Sequence, residues 1–156
     1  GCYSRPETGN HILIGSEDPE CDERIFVDPD NWDENFTDQW QTQVLRQAQR
    51  YPDLPISNNV KGVVSLYDVT DDWIPIYDKS DLPGFYMAIG TSGNQFKNAP
   101  VAGVLMSELI EYCENGNNHD KEPLKINLKY INKDINLKFY SRNRQINEES
   151  SMSVLG

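Results

Sequence analysis

The chain has 156 residues, of which 37% are hydrophobic, including three Trp, eight Tyr and five Phe. That is the length of one ordinary domain with enough apolar material for a core, which argues against wholesale disorder. A net charge of −11 repels phosphate backbones and anionic lipid, and no apolar run reaches about 18 residues, so neither nucleic acid nor a membrane is an expected partner.

Cys2, Cys21 and Cys113 are widely spaced and form no CxxC or Cys/His ligand pattern. They read as reduced thiols of a cytoplasmic protein rather than as a zinc site, and no metal is expected. No secretory signal opens the sequence. His11 and His119 sit in polar, turn-like stretches and read as surface residues. The start, Cys2-Tyr3-Ser4-Arg5-Pro6, reads as the middle of a strand.

In chain order, residues 2–16 predict a hairpin turning at Thr8-Gly9-Asn10. Residues 17–34 predict an acidic loop with Asp18, Glu20, Asp22, Glu23, Asp28, Asp30 and Asp33. Its offsets do not match a calcium-binding loop, so it reads as solvated. Phe36, Trp40, Val44 and Ala48 recur every four positions, with Leu45 widening the stripe, and predict a helix over 36–50. Asn35 or Thr37 can cap its start, and Pro52 and Pro55 stop it.

Val60 to Thr70 alternates and predicts a long strand, with Ile74-Pro75-Ile76 a short one after it. The apolar run from Gly84 to Gly90 predicts a buried strand. A polar loop over 91–98 follows, then a helix near 99–115 with Pro100 at its first position and Gly116 at its end. Val101, Val104, Leu105, Leu109 and Tyr112 or Cys113 line one predicted face, and Gly103 would permit close packing. Residues 124–140 predict a hairpin turning at Asn132-Lys133-Asp134, and the polar tail from Arg142 wraps or frays. The expected fold is α+β, with a mainly antiparallel sheet and two principal helices.

The stretch 84–116 carries the chemistry. A strand feeding a glycine-bearing loop into a helix N-terminus faces free N–H groups and the positive end of a dipole toward an anion, and Lys97 adds a full charge. The same pattern also serves as an ordinary strand–turn–helix whose glycines supply geometry.

GFYMAIGTSGNQFKNAPVAGVLMSELI resembles the closing segment of the D-amino-acid-oxidase-like flavoproteins, which include sarcosine, dimethylglycine and glycine oxidoreductases. That segment reads as a strand, then Ser-Gly-His-Gly-Phe-Lys, then Ala-Pro and a helix. Ser92, Gly93, Phe96, Lys97, Ala99 and Pro100 match it, while Asn94 and Gln95 depart from His-Gly. LYDVTDDWIPIYD resembles the family's Tyr-x-x-Thr-Pro-Asp-x-x-Pro-Ile stretch through Tyr67, Thr70, Asp72, Pro75 and Ile76, with Asp71 in the proline place. YSRPETGNHILIGSED resembles its Arg-Pro-Glu strand and glycine turn.

The resemblance implies an FAD-dependent oxidoreductase of a small amine or amino acid. Ser92, Gly93, Asn94, Gln95, Phe96 and Lys97 would bind the flavin's pyrimidine end, and Lys97 and Tyr67 would be the catalytic pair. Some members attach flavin through a Cys two residues before the matching Tyr. Ser65 stands there, which implies non-covalent binding. Tyr3 and Arg5 would lie on the substrate-domain sheet, with Arg5 holding a substrate carboxylate or a structural ion pair.

The dinucleotide fingerprint GxGxxG occurs nowhere in the chain. The implied organisation is a C-terminal fragment of residues 1–156. In it, 2–60 belong to the substrate-binding domain, 61–116 face the flavin, and 117–156 form a hairpin and tail. Its partner would be the missing N-terminal FAD-binding domain of the parent. A non-catalytic binding or interaction module on the same fold, or an oxidiser of α-hydroxy acids or glycerol phosphate, are the alternatives.

Overall fold

The computed structural model describes residues 2–16, 25–56, 61–93 and 95–150. Two compact units divide the chain, Gly1–Leu66 and Tyr67–Gly156.

In the first unit, β1 (Cys2–Glu7) pairs antiparallel with β2 (His11–Ser16). Gly9 and Asn10 take the left-handed conformation that the tight turn demands, with φ of 72° and 59°. Helix α1 (Asp38–Ala48) begins where Thr37 accepts the Trp40 N–H at 3.1 Å. Phe36 stacks on Trp40 with centroids 4.1 Å apart. Val44 and Ala48 are buried as expected, whereas Leu45 is half exposed and Gln47 is buried instead. The cause is a polar socket on β1. The Gln47 amide donates to Ser4 Oγ at 2.8 Å, and its Oε1 accepts from Cys2 Sγ at 3.3 Å. Asp28 and Asp33 accept N–H bonds from Asp30 and Asn35, both at 2.9 Å, and so hold their own turns. Cys21 and the acidic residues Asp18, Glu20, Asp22 and Glu23 lie outside the described residues.

In the second unit, β3 (Ile76–Lys79) pairs with β4 (Tyr86–Ile89), and β5 (Lys125–Leu128) with β6 (Lys133–Asn136), all antiparallel. Between the hairpins runs α2 (Gln95–Glu114), and a 3₁₀ turn, Leu137–Tyr140, follows β6. Tyr77, Ala102, Leu105, Leu109 and Leu137 form the core, flanked by Met106, Cys113, Leu124, Ile126, Ile135 and Tyr140. The α+β class holds, built among the described residues as three separate hairpins rather than one sheet. No described helix is long and apolar enough to cross a membrane.

Several expectations are corrected here. Residues 61–70 form no strand: the Ser92 N–H bond to the Asp68 carbonyl is a single contact and not a ladder. The run from Gly84 to Gly90 is not buried: Phe85, just before β4, and Ile89 within it are half exposed, since α2 packs on a hairpin of only two strands. Helix α2 starts at Gln95, so Pro100 lies inside it and the polar loop is shorter than 91–98. Val101 and Val104 face outward, and nothing lies within 4 Å of a Cβ placed at Gly103, so that glycine serves no close packing. Gly116 does end the helix, at φ 86°. The second hairpin turns before Lys133, with Asn132 left-handed at φ 48° and the Ile131 N–H bonded to the Leu128 carbonyl at 3.1 Å.

His119, expected on the surface, is buried. The polar tail is the larger surprise. Arg144 forks onto buried Asp72, Nε to Oδ2 at 2.9 Å and Nη2 to Oδ1 at 2.6 Å. Arg142 reaches Asp78, Asp81 and Asp120 at 3.2, 2.5 and 2.8 Å. Asp78, with no exposed surface, also accepts from Ser141 Oγ and from the N–H groups of Lys79 and Arg142.

Arg144 holds the Asp72 carboxyl far below the usual 3.8. A depressed folded-state value means that the stability it contributes is present above that ordinary value and lost as pH falls beneath it. Arg144→Met strands a buried carboxylate and should cost about 3–5 kcal/mol in chemical denaturation at pH 7. The variant should also lose less further stability than wild type between pH 4 and pH 2.

Candidate functional site

The candidate site is built on the turn that carries β4 into α2. Gly90, Ser92 and Gly93 all adopt positive φ, at 63°, 51° and 77°. For Ser92 that conformation is unfavourable and persists only when the surroundings fix it. Three contacts to Asp68 do so: its carbonyl accepts the Ser92 N–H at 2.9 Å, and its carboxylate accepts the Thr91 N–H at 3.2 Å and hydroxyl at 2.7 Å. Ser92 is buried, with Oγ donating to the Gly90 carbonyl at 3.1 Å. Burial works against the Asp68 carboxylate, but the Thr91 bonds outweigh it and hold that carboxyl below its usual range.

Gly90 is required for a second reason. A Cβ there would collide with Thr70 Cγ2. Thr70 cannot retreat, because its hydroxyl lies 2.9 Å from the Ile74 carbonyl and 3.1 Å from Asp72 Oδ1. The turn is therefore anchored to the buried Asp72–Arg144 pair.

Beyond the turn, Gln95 opens α2, and its Oε1 accepts the Tyr77 hydroxyl at 2.9 Å. Tyr77 belongs to the core, and burial pushes its phenol upward. The first helical turn contains no acidic residue. Phe96 is 98% exposed and Lys97 is exposed beside it. The first N–H groups of a 20-residue helix, its dipole and the lysine thus present one sign of charge to the outside. Such a surface can stabilise negative charge on a ligand, and Phe96 offers an aromatic face to a planar one. This donor set fits the pyrimidine edge of a flavin, which gains negative charge on reduction.

Of the residues singled out in the sequence, Ser92, Gly93, Gln95, Phe96 and Lys97 are contiguous here, the last three on helix rather than loop. Asn94 lies outside the described residues. Tyr67, half exposed, precedes Asp68, whose carbonyl accepts the Ser92 N–H. Ser65 is exposed. On the first unit's hairpin, exposed Arg5 pairs with Glu7 at 2.9 Å, and Tyr3 lies over Gly15, where any side chain would strike its ring. Sequence reasoning missed Asp68, Tyr77 and the Thr70–Gly90 contact. An acid inside the alternating run 60–70 was the available signal for Asp68, whereas Tyr77 gave none.

Gly90→Ala should destabilise the protein by about 1–3 kcal/mol, through positive φ and the collision together. Adding Thr70→Ser, which removes Cγ2 but keeps the hydroxyl, should recover part of that loss in urea denaturation.

No curated protein and no solved structure matches the chain significantly. One family model does, described as FAD dependent oxidoreductase (DAO), over residues 1–109. That span is more than half of the chain and takes in β1 through most of α2, including the whole Asp68–Lys97 turn. The chain therefore belongs to the DAO family of FAD-dependent oxidoreductases.

Proposed function

We propose that this chain forms the flavin-ring and substrate side of a cytoplasmic oxidoreductase acting on a small amine or amino acid of the sarcosine or dimethylglycine kind. The observation that carries the reading is the rigid Ser92–Gly93 turn feeding a helix start with Lys97 and no acidic residue. Bound there, FAD would supply the hydride acceptor for the carbon beside the substrate nitrogen.

The chain's own residues do the rest. Backbone N–H groups of the first α2 turn would donate to the electron-rich edge of the ring, and Lys97 would lower the energy of negative charge there. Tyr77 fixes Gln95 at the same helix start. Phe96, almost fully exposed, would cover ring surface from water, and Tyr67 would face the substrate. On its own hairpin, Arg5 takes a substrate carboxylate only by exchanging Glu7 for it. Ser65 has no thiol to form a covalent link, so attachment at that position is non-covalent. The ADP half would be held by a GxGxxG segment of the parent, a motif this chain does not contain.

Lys97→Met should lower turnover of the FAD-loaded full-length protein by a factor of about ten or more, the worth of one well-placed charged contact. Unchanged kinetics would take Lys97 out of the site.

This chain by itself should bind FAD more weakly than micromolar and turn nothing over. It addresses only the isoalloxazine end, and its net charge of −11 disfavours a dinucleotide anion. Flavin fluorescence and the visible spectrum, followed on titration, give the answer. Submicromolar binding, or oxidation of sarcosine or dimethylglycine with added FAD, would make the chain a self-sufficient flavoprotein.

A further inference from the structure

His119 lies on the turn between α2 and β5, beyond the residues that match the family. It is 1% exposed. Its Nδ1 accepts the Leu124 N–H at 3.2 Å, so the neutral ring carries its proton on Nε2. Nε2 is buried and has no hydrogen-bond partner, standing 3.8 Å from Asp78 Oδ1. The charged groups around the ring are Asp78 and Lys79 from β3, Asp120 from its own turn, and Arg142 from the C-terminal segment. Lys138 and Arg144 line, with His119 and Asp120, a cavity of about 110 Å³.

A second proton has one place to go. It must bind Nδ1, the atom that holds the Leu124 N–H. Charging the ring therefore removes that bond and sets two N–H groups face to face. It also adds a cation to a buried site that already contains Arg142 and Lys79. Asp78 opposes this, but its carboxylate already accepts from Lys79, Ser141 and Arg142. The ring can charge only if the turn opens. The next residue, Asp120, pairs with Lys79 at 2.6 Å and Arg142 at 2.8 Å, so an opened turn withdraws that carboxylate too.

We propose that His119 is an acid-sensitive latch: uptake of one proton at Nδ1 releases the turn 118–124 and, through Asp120, loosens the segment 141–144 from β3. Burial keeps the imidazole from charging, more strongly than Asp78 and Asp120 favour the charge, so its folded-state value lies below the ordinary 6.5. With the folded value depressed, the open form binds the proton more readily. The latch is closed above pH 6.5 and gives way as pH falls beneath it. Arg142 and Lys79 hold Asp120 down at about 2, so Asp120's own titration belongs to a separate, far more acidic window.

Hydrogen exchange of the whole chain between pH 7.5 and 5, corrected for intrinsic rates, tests this. Protection at the Leu124 and Arg142 amides should fall together, by up to about tenfold for each pH unit below about 6.5. Amides of α2 near Leu105 and Leu109 should keep theirs. In His119→Gln, whose Oε1 can accept the Leu124 N–H without titrating, protection should stay flat over the same range. Imidazole nitrogen NMR of the wild-type chain, with His11→Gln to separate the signals, should show the Nε2–H tautomer and titration of His119 below 6.5. An unaltered pH response in His119→Gln, simultaneous loss across α2, or titration of His119 at or above 6.5 would each overturn the latch. The NMR titration decides the matter should the variant fail to fold.

Discussion

Moving a carboxylate out of water costs several kcal/mol, and the second unit does so at both Asp72 and Asp78. Neither position is tolerable until a cation arrives. Both cations come from one short segment of the tail, Arg144 for the first and Arg142 for the second. Such pairs do not necessarily stabilise more than well-packed apolar residues would. What they do is forbid alternatives, because any arrangement that buries β3 without the tail leaves a bare charge inside. The C-terminal segment is thus part of the core's electrostatics, although its sequence is polar throughout.

The constraint reaches the candidate site through a short chain of contacts. Asp72 lies beside the Thr70 hydroxyl, Thr70 fills the space above Gly90, and Gly90 opens the turn that Asp68 closes. Independently, core Tyr77 ties Gln95 to β3. The start of α2 is consequently held from both sides, by the turn before it and by the sheet beneath it. A helix N-terminus stabilises charge best when it does not need to reorganise, and these contacts supply that rigidity.

Much of the framework was legible because it is local. The four-residue period of Trp40, Val44 and Ala48, with Thr37 before it, marked α1 within two residues at each end. Gln47 was illegible because its burial depends on Ser4 and Cys2, more than 40 residues away. Alternation along 60–70 is also local, but a strand requires a neighbour, which alternation does not provide. Pro100 misled the boundary of α2. A proline so near a helix start deletes only the bond to the Phe96 carbonyl, and the helix begins a turn earlier regardless. The motif around Ser92 to Lys97 was readable as chemistry, whereas Asp68, His119 and the two arginines act only through contacts that the fold creates. An arginine in a polar tail carries no mark of the aspartate it will neutralise.

The separation of those partners also has a meaning in time. Asp72 precedes Arg144 by 72 residues. At about 5–20 residues per second, a ribosome makes the aspartate about 4–14 s before its partner. By the end of that interval the β3–β4 hairpin and α2 have been made, and closing them over Asp72 before Arg144 appears would strand its charge or require it to take a proton. Tyr77, Leu105 and Leu109 remain available to chaperones in the meantime. A chain ending just before Arg142 would carry the apolar core of the second unit and lack both of the cations that its buried carboxylates pair with.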